Sequence, residues 1–151
     1  MRPCDMTGMF RISHSFGILL FLAAFVSGSP SQADIHGKLF VIDGDTVDLG
    51  GQRIRLHGID APEQDQTCEA GGSGSWACGA WATDQLRNMA EGRLARCVEL
   101  DQDRYGRIVA RCQVSGQDIG AWMVERGMAI AYVRYSQDYV AHESRARRDR
   151  G

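Results

Sequence analysis

Residues 41–63 read VIDGDTVDLGGQRIRLHGIDAPE, and within them Asp43, Asp45, Asp60 and Glu63 fall where short strand-like segments meet turns, with Arg55 among them. Surface acids ordinarily scatter. A set drawn to one end of a sheet suits a hard cation such as Ca²⁺, which takes several oxygens from carboxylates, backbone carbonyls and water. Asp45 at one strand start and Asp60 just past another can offer two carboxylates across the meander. An EF-hand is excluded, because Val47 stands at a ligand position and no glycine occupies the sixth.

Taken alone, Asp43 and Asp45 are turn residues beside Gly44, as aspartate commonly is. The whole set is harder to explain that way, since Pro62 rigidly follows Asp60-Ala61 and delivers Glu63 to the same end of the sheet. Arg55 lies five residues before Asp60, so the two point to opposite strand faces unless the turn between them redirects one. Arg107, in DRYGR, leaves a later hairpin. A cation, an acid not bound to it and two arginine forks are what phosphodiester hydrolysis requires. The cation and arginines neutralise charge growing on the phosphate oxygens, and the acid takes a proton from attacking water.

Such groups need a rigid frame. Residues 39–41, 46–49 and 52–56 read as three strands, with Asp43-Gly44 turning between the first two and Gly50-Gly51 as the hairpin signal before the third. TCEAGGSGSWAC is a Gly/Ser-rich surface loop. WACGAWATDQLRNMAEG then shows Trp81, Ala82, Leu86, Met89 and Ala90 at helical spacing, with Gly92 as the stop. ARCVEL and RIVARCQV are two further strands joined by DQDRYG. SGQDIGAWMVERG is a helix with Asp118 as N-cap and Gly127 just past its end. An extended AIAYVRY precedes a final helical stretch, SQDYVAHESRARRDRG. This order predicts a small α+β domain whose strands close as a five-stranded OB-fold barrel with about three helices packed outside.

The beginning of the chain reads differently. Residues 16–26, FGILLFLAAFV, are an uninterrupted apolar run of 11, preceded by Arg2 and Arg11 and followed by the small-residue stretch SGSPSQA. That order is a secretory signal peptide over residues 1–33, and the run is too short for a spanning helix of roughly 20 residues. The expected mature domain covers 34–151, or 118 residues, with 15 basic and 18 acidic side chains. A general basic footprint for nucleic acid is thus absent, and phosphate binding would rest on a local cluster.

Cys4 falls in the leader, which leaves Cys68, Cys78, Cys97 and Cys112, an even number in an exported chain. Neither pair has CxxC spacing, so disulfides are preferred to metal thiolates, with three connectivities open. If ARCVEL and RIVARCQV form a hairpin turning at Arg104-Tyr105, Cys97 and Cys112 are equidistant from its centre and face each other across the strands. Cys68 and Cys78 would then close the Gly/Ser-rich loop locally.

IDGDTV, RLHGIDAPE and DRYGR, in this order, resemble the staphylococcal nuclease (thermonuclease) family, over residues 38–144. The resemblance implies the same OB barrel with three helices. It implies Ca²⁺ held by Asp45, Asp60 and the carbonyl of Ala61, with Asp43 in the metal's outer shell. Glu63 would activate or orient water, and Arg55 and Arg107 would bind the scissile phosphate. Arg104 and Tyr105 would contact a neighbouring phosphate, and Tyr135 would lie near the nucleotide. The sequence departs from the family at Ala61, where threonine is common, and at Val133, where a second tyrosine would fall beside Tyr132.

The expectation is an exported, periplasmic or secreted, Ca²⁺-dependent nuclease acting on DNA and RNA with low sequence specificity and leaving 3′-phosphate ends. It would be a monomer with no stable protein partner and no membrane attachment after signal cleavage. The alternative is a non-catalytic OB-fold module binding nucleic acid or protein. A pure binder has no need of the metal-plus-acid set, and a Ca²⁺-stabilised structural domain leaves the arginines unexplained. The mechanism needs no imidazole from His57 or His142, and His57 reads as a structural histidine. Trp76, Trp81 and Trp122 read as core or loop anchors, and the arginines of SRARRDR as a solvated helix face.

Overall fold

A computed structural model of the chain describes residues 34–72 and 74–149. The signal-peptide reading falls on residues 1–33, outside the described ones. The first three strands, β1 (Asp34–Val41), β2 (Thr46–Leu49) and β3 (Gln52–Leu56), form the expected antiparallel meander. Gly50 and Gly51 both take positive φ, 62° and 87°, the two-residue turn whose twist matches flanking strands. β4 (Ile59–Asp60) follows at once, and a two-residue ladder joins β5 (Cys68–Glu69) to β6 (Ser75–Trp76). Helix α1 (Cys78–Ala90) leads to the hairpin of β7 (Leu94–Gln102) and β8 (Ile108–Val114). After β9 (Gln117–Asp118) come α2 (Ile119–Glu125), β10 (Ile130–Ala131) and α3 (Val140–Arg148).

Closure comes from two pairings that no local pattern announces. The first half of β1 pairs with β7, Ile35 opposite Cys97, while its second half pairs with β2, Leu39 opposite Leu49. β8 then pairs in parallel with β3, Ile54 beside Ile108, so β1, β2, β3, β8 and β7 form a closed five-stranded barrel with three helices. Alternation does the rest. Leu39, Val47, Leu49, Ile54 and Leu56 point inward and are almost wholly buried, each contributing about 1.5–3 kcal/mol of apolar transfer. Leu86 of α1 and Ile119 and Met123 of α2 cap that core.

Helix α1 departs from expectation in one respect. It buries Cys78, Gly79, Ala82, Thr83, Leu86 and Ala90, while Trp81 stays 41% exposed and meets the ring of Trp76 edge to face at 5.5 Å. The first turn approaches another backbone so closely that only small residues fit on its inner side, which turns Trp81 outward. Asp118 caps α2 as expected, its carboxylate accepting from the Ala121 N–H at 3.0 Å, and Gly127 follows the helix at φ 70°. Among the described residues no helix is long and apolar enough to cross a membrane.

Candidate active site

The Asp43–Asp45 turn is built by its own side chain and backbone. The Asp45 N–H donates to Asp43 Oδ1 at 3.0 Å, and the N–H groups of Ile42 and Asp43 both donate to the Thr46 carbonyl. Gly44 is needed there because a Cβ would lie 2.7 Å from the Cβ of Ala61. The turn therefore rests directly on the Asp60–Pro62 segment. Asp45 is only 7% exposed; its carbonyl accepts from the Leu56 N–H at 2.8 Å and its Oδ1 from the Thr46 hydroxyl at 2.9 Å.

Arg55 and Asp60, five residues apart, do meet. Gly58, at φ 71°, turns the chain, and the ring of Tyr139 lies 3.2 Å from where a Cβ would be, so only glycine serves. The turn brings β4 back, and β10 pins it with Ile130 opposite Asp60. Arg55 Nη2 then lies 2.8 Å from Asp45 Oδ2 and 3.4 Å from Asp60 Oδ1. Burial pushes the Asp45 carboxyl up to about 6; the Arg55 charge and the hydrogen bond from the Thr46 hydroxyl oppose it, and the charges of Asp43 and Asp60 add to it. One guanidinium does not offset that burial.

The donors suit a hard cation. Among the described residues no group of three His, Cys, Asp or Glu side chains is arranged to hold a metal by itself. Ca²⁺ needs no such trio, because carbonyls and waters complete its shell. Two carboxylates already sharing one arginine nitrogen, one of them buried and incompletely compensated, leave room for that role, with the Ala61 carbonyl on the adjoining backbone.

Glu63 sits past Pro62 on an exposed loop and, with Asp43, lines a depression of about 510 Å³ bounded by Ile42, Gln64, Asp65 and Ala80. Gln66 closes the loop: its amide oxygen accepts from the Glu63 N–H at 3.3 Å, and its own N–H donates to the Glu63 carbonyl at 2.9 Å.

Arg107 belongs to a second cluster. By strand alternation it leaves the same outer face as Arg55, whose parallel partner is Val109. Its side chain, however, is tied to Asp103, Nε to Oδ2 at 2.6 Å, and Asp103 Oδ1 accepts from the N–H groups of both Tyr105 and Arg107 at 2.9 Å. Tyr105, 70% exposed, lies under Arg104 at 4.8 Å and Arg107 at 5.8 Å. Tyr135 is also exposed and meets Tyr132 edge to face at 4.8 Å, on the segment that donates the Tyr132 N–H to the Gly58 carbonyl.

The profile of the family described as staphylococcal nuclease homologues matches residues 53–151. The chain belongs to that family. Asp43 and Asp45 lie just ahead of the matched stretch. A protein of Rhizobium meliloti named succinoglycan biosynthesis protein ExoI is 32% identical over 120 residues, covering 78% of this chain and 63% of that one. An Escherichia coli protein named an uncharacterized endonuclease is 35% identical over 114 residues, covering 72% and 68%. The Arabidopsis thaliana staphylococcal-like nuclease CAN1 is 33% identical over 100 residues, covering 65% of this chain and 28% of its own. The chain thus spans about two thirds or less of the length of these relatives.

This staphylococcal nuclease homologue also uses residues that sequence reasoning passed over. Asp103 stands in the same DRYGR stretch as Arg107, and its spacing of four was the available signal. Asp118 does more than cap: Tyr139 Oη donates to both its oxygens, at 3.0 and 3.1 Å. Burial, then the Asp118 charge, pushes the Tyr139 hydroxyl well above its ordinary range. Asp138 bonds Arg111 and lies 3.3 Å from His57 Nε2, which gives His57 a partner. These contacts tie the two residues before α3 to β8, to β9 and to His57 just past β3. No local pattern signals them, because the partners are far apart in sequence.

Both predicted disulfides are present. Cys97 pairs with Cys112 in register across the hairpin, Cα atoms 4.0 Å apart, and Cys68 with Cys78 at 5.6 Å.

Proposed function

We propose that this protein is an exported, Ca²⁺-dependent nuclease that hydrolyses phosphodiester bonds of DNA and RNA with little sequence specificity and leaves 3′-phosphate ends. It acts as a monomer. What supports the reading above all is the convergence of Asp45, Asp60 and Arg55 at one end of the barrel, with Glu63 two residues beyond the Ala61 carbonyl. The relatives named as nucleases agree with it. Two disulfides suit an oxidising compartment, which supports export.

Asp45, Asp60 and the Ala61 carbonyl would hold the cation, which supplies charge neutralisation on the phosphate oxygens when bound. Arg55 and Arg107 present planar forks to the equatorial oxygens, where charge grows in the transition state. Arg107 keeps Nη1 and Nη2 for this while Asp103 holds its Nε. Glu63 takes the proton of the attacking water at its carboxylate. Arg104 and Tyr105 meet a neighbouring phosphate, and Tyr135 lies beside the nucleotide.

The deciding experiment incubates the mature protein with single- and double-stranded DNA and RNA in Ca²⁺, Mg²⁺ or chelator. Cleavage with Ca²⁺ that chelator abolishes is expected. Binding without cleavage under any metal would sink the enzyme reading and leave the non-catalytic OB-fold module.

A further inference from the structure

Residues 61–67 have neither helix nor strand, yet they carry the acid that serves water. A catalytic side chain has to be held to within about 0.5 Å by what surrounds it. Something other than regular structure must therefore fix this loop. At its start, Ala61 is wedged against Gly44.

At its other end lies α1. A Cβ on Gly79 would fall 1.6 Å from the Glu63 carbonyl oxygen and 2.7 Å from its carbon, so the helix's first turn meets the Glu63 backbone directly. The Gly79 N–H donates to the Gln66 carbonyl at 3.2 Å. Cys78, the preceding residue, is bonded to Cys68, two residues past Gln66. Outside the bridge, Trp76 pairs with Cys68 in the short ladder while its ring packs on Trp81 of α1.

We propose that the Cys68–Cys78 disulfide and Gly79 are positioning residues for Glu63, clamping its loop to α1 so that hydrolysis depends on this bridge. The inference rests on the nuclease reading, with Glu63 as the acid. A disulfide in a small exported domain ordinarily serves stability first, and Cys97–Cys112 fits that role: both residues are buried on strands already paired along seven positions. Cys68–Cys78 joins a loop to a helix where the ladder has only two pairs. Without the covalent tie, Glu63 rests on Gln66 and on the close packing of Gly79.

The test is a double-mutant cycle on kcat and KM, with a single-stranded DNA oligonucleotide in saturating Ca²⁺, at a temperature where circular dichroism shows every variant folded. Cys68→Ser with Cys78→Ser should lower kcat about 10²-fold, the worth of a misplacement near 1 Å, and leave KM within about threefold. In a Glu63→Gln background the same cysteine changes should lower kcat by less than about threefold, because the positioned group is already gone. Undiminished kcat in the double-serine enzyme, or an equal loss on top of Glu63→Gln, would overturn the clamp. Gly79→Ala, with the bridge intact, forces the Glu63 backbone to move and should lose kcat likewise; a folded Gly79→Ala enzyme at full kcat also overturns it. Glu63→Gln alone tests the underlying reading: if it keeps its rate, Glu63 is not the acid, whatever the cysteine variants do.

Discussion

Two arginines assigned to the phosphate are each held by aspartate, in opposite ways. Arg55 lies between Asp45 and Asp60, which are 15 residues apart; the β2–β3 hairpin, with Thr46 opposite Arg55, brings the first, and the turn at Gly58 with the β10 pairing brings the second. Arg107 is held by Asp103 four residues earlier, inside one hairpin tip, with Tyr105 alongside. In the first cluster Asp45 is buried and three acids gather near one guanidinium; in the second Arg107 and Asp103 are part-buried and paired one to one within the tip. The difference teaches where each function can reside. A buried carboxylate among further acids can bind a cation, whereas a tip whose one acid is already paired offers guanidinium groups and the exposed Tyr105 ring.

The largest effect should come from the acid beside the first cluster. Glu63→Gln keeps the size and removes the proton acceptor, so turnover should fall by about 10²–10⁴ while Ca²⁺ affinity changes far less. Calcium titration calorimetry beside rate measurements checks this. If the variant loses Ca²⁺ as badly as Asp45→Asn, Glu63 is a ligand and belongs to the metal cluster itself.

Exchanging each arginine for lysine compares the two clusters directly. Both Arg55→Lys and Arg107→Lys keep the charge but lose the fork, and each should lower the rate by about 10²–10³. Only Arg55→Lys should also alter Ca²⁺ affinity, since only Arg55 touches the carboxylates. Equal Ca²⁺ affinities in the two variants would erase the distinction. Arg107 is the more tolerant position, because a hairpin tip can adjust.

The Cys97–Cys112 bridge lies on the hairpin whose tip carries the second cluster. Replacing both by serine should reduce stability by about 3 kcal/mol on chain-entropy grounds, read as a lower denaturant midpoint. Catalysis should weaken through the hairpin carrying Arg107, with Ca²⁺ binding largely retained. Loss of Ca²⁺ binding in a folded variant would show that the clusters are not separable.

The smallest effect is local to the tip. Partial desolvation would raise the Asp103 pKa, but bonds from the Arg107 N–H, its guanidinium and the Tyr105 N–H together hold it below the ordinary 3.8. A depressed folded-state pKa means the tip's extra order is present above that ordinary value and lost as pH falls through the lower one. Amide exchange at Tyr105 and Arg107 should therefore lose protection in acid before the barrel amides do. Protection that persists until global unfolding would mean Asp103 does not hold the tip.

Much of this molecule is set by interactions a few residues long, and those were readable. The Gly50-Gly51 turn, the alternation of the meander, the Asp118 cap and the facing of Cys97 and Cys112 all follow from backbone conformation and period. The chemistry-bearing residues were readable as types and spacings. What packing decided lies across longer distances. Only the turn at Gly58 and the pairing of β4 with β10 bring Arg55 to Asp60, reversing the opposite faces that strand geometry alone implies. Only the seating of α1 on the Glu63 backbone makes Gly79 obligatory and turns Trp81 outward from an otherwise regular apolar stripe. Burial above all raises Asp45, and desolvation depends on every chain segment that excludes water and not on the neighbours of one residue.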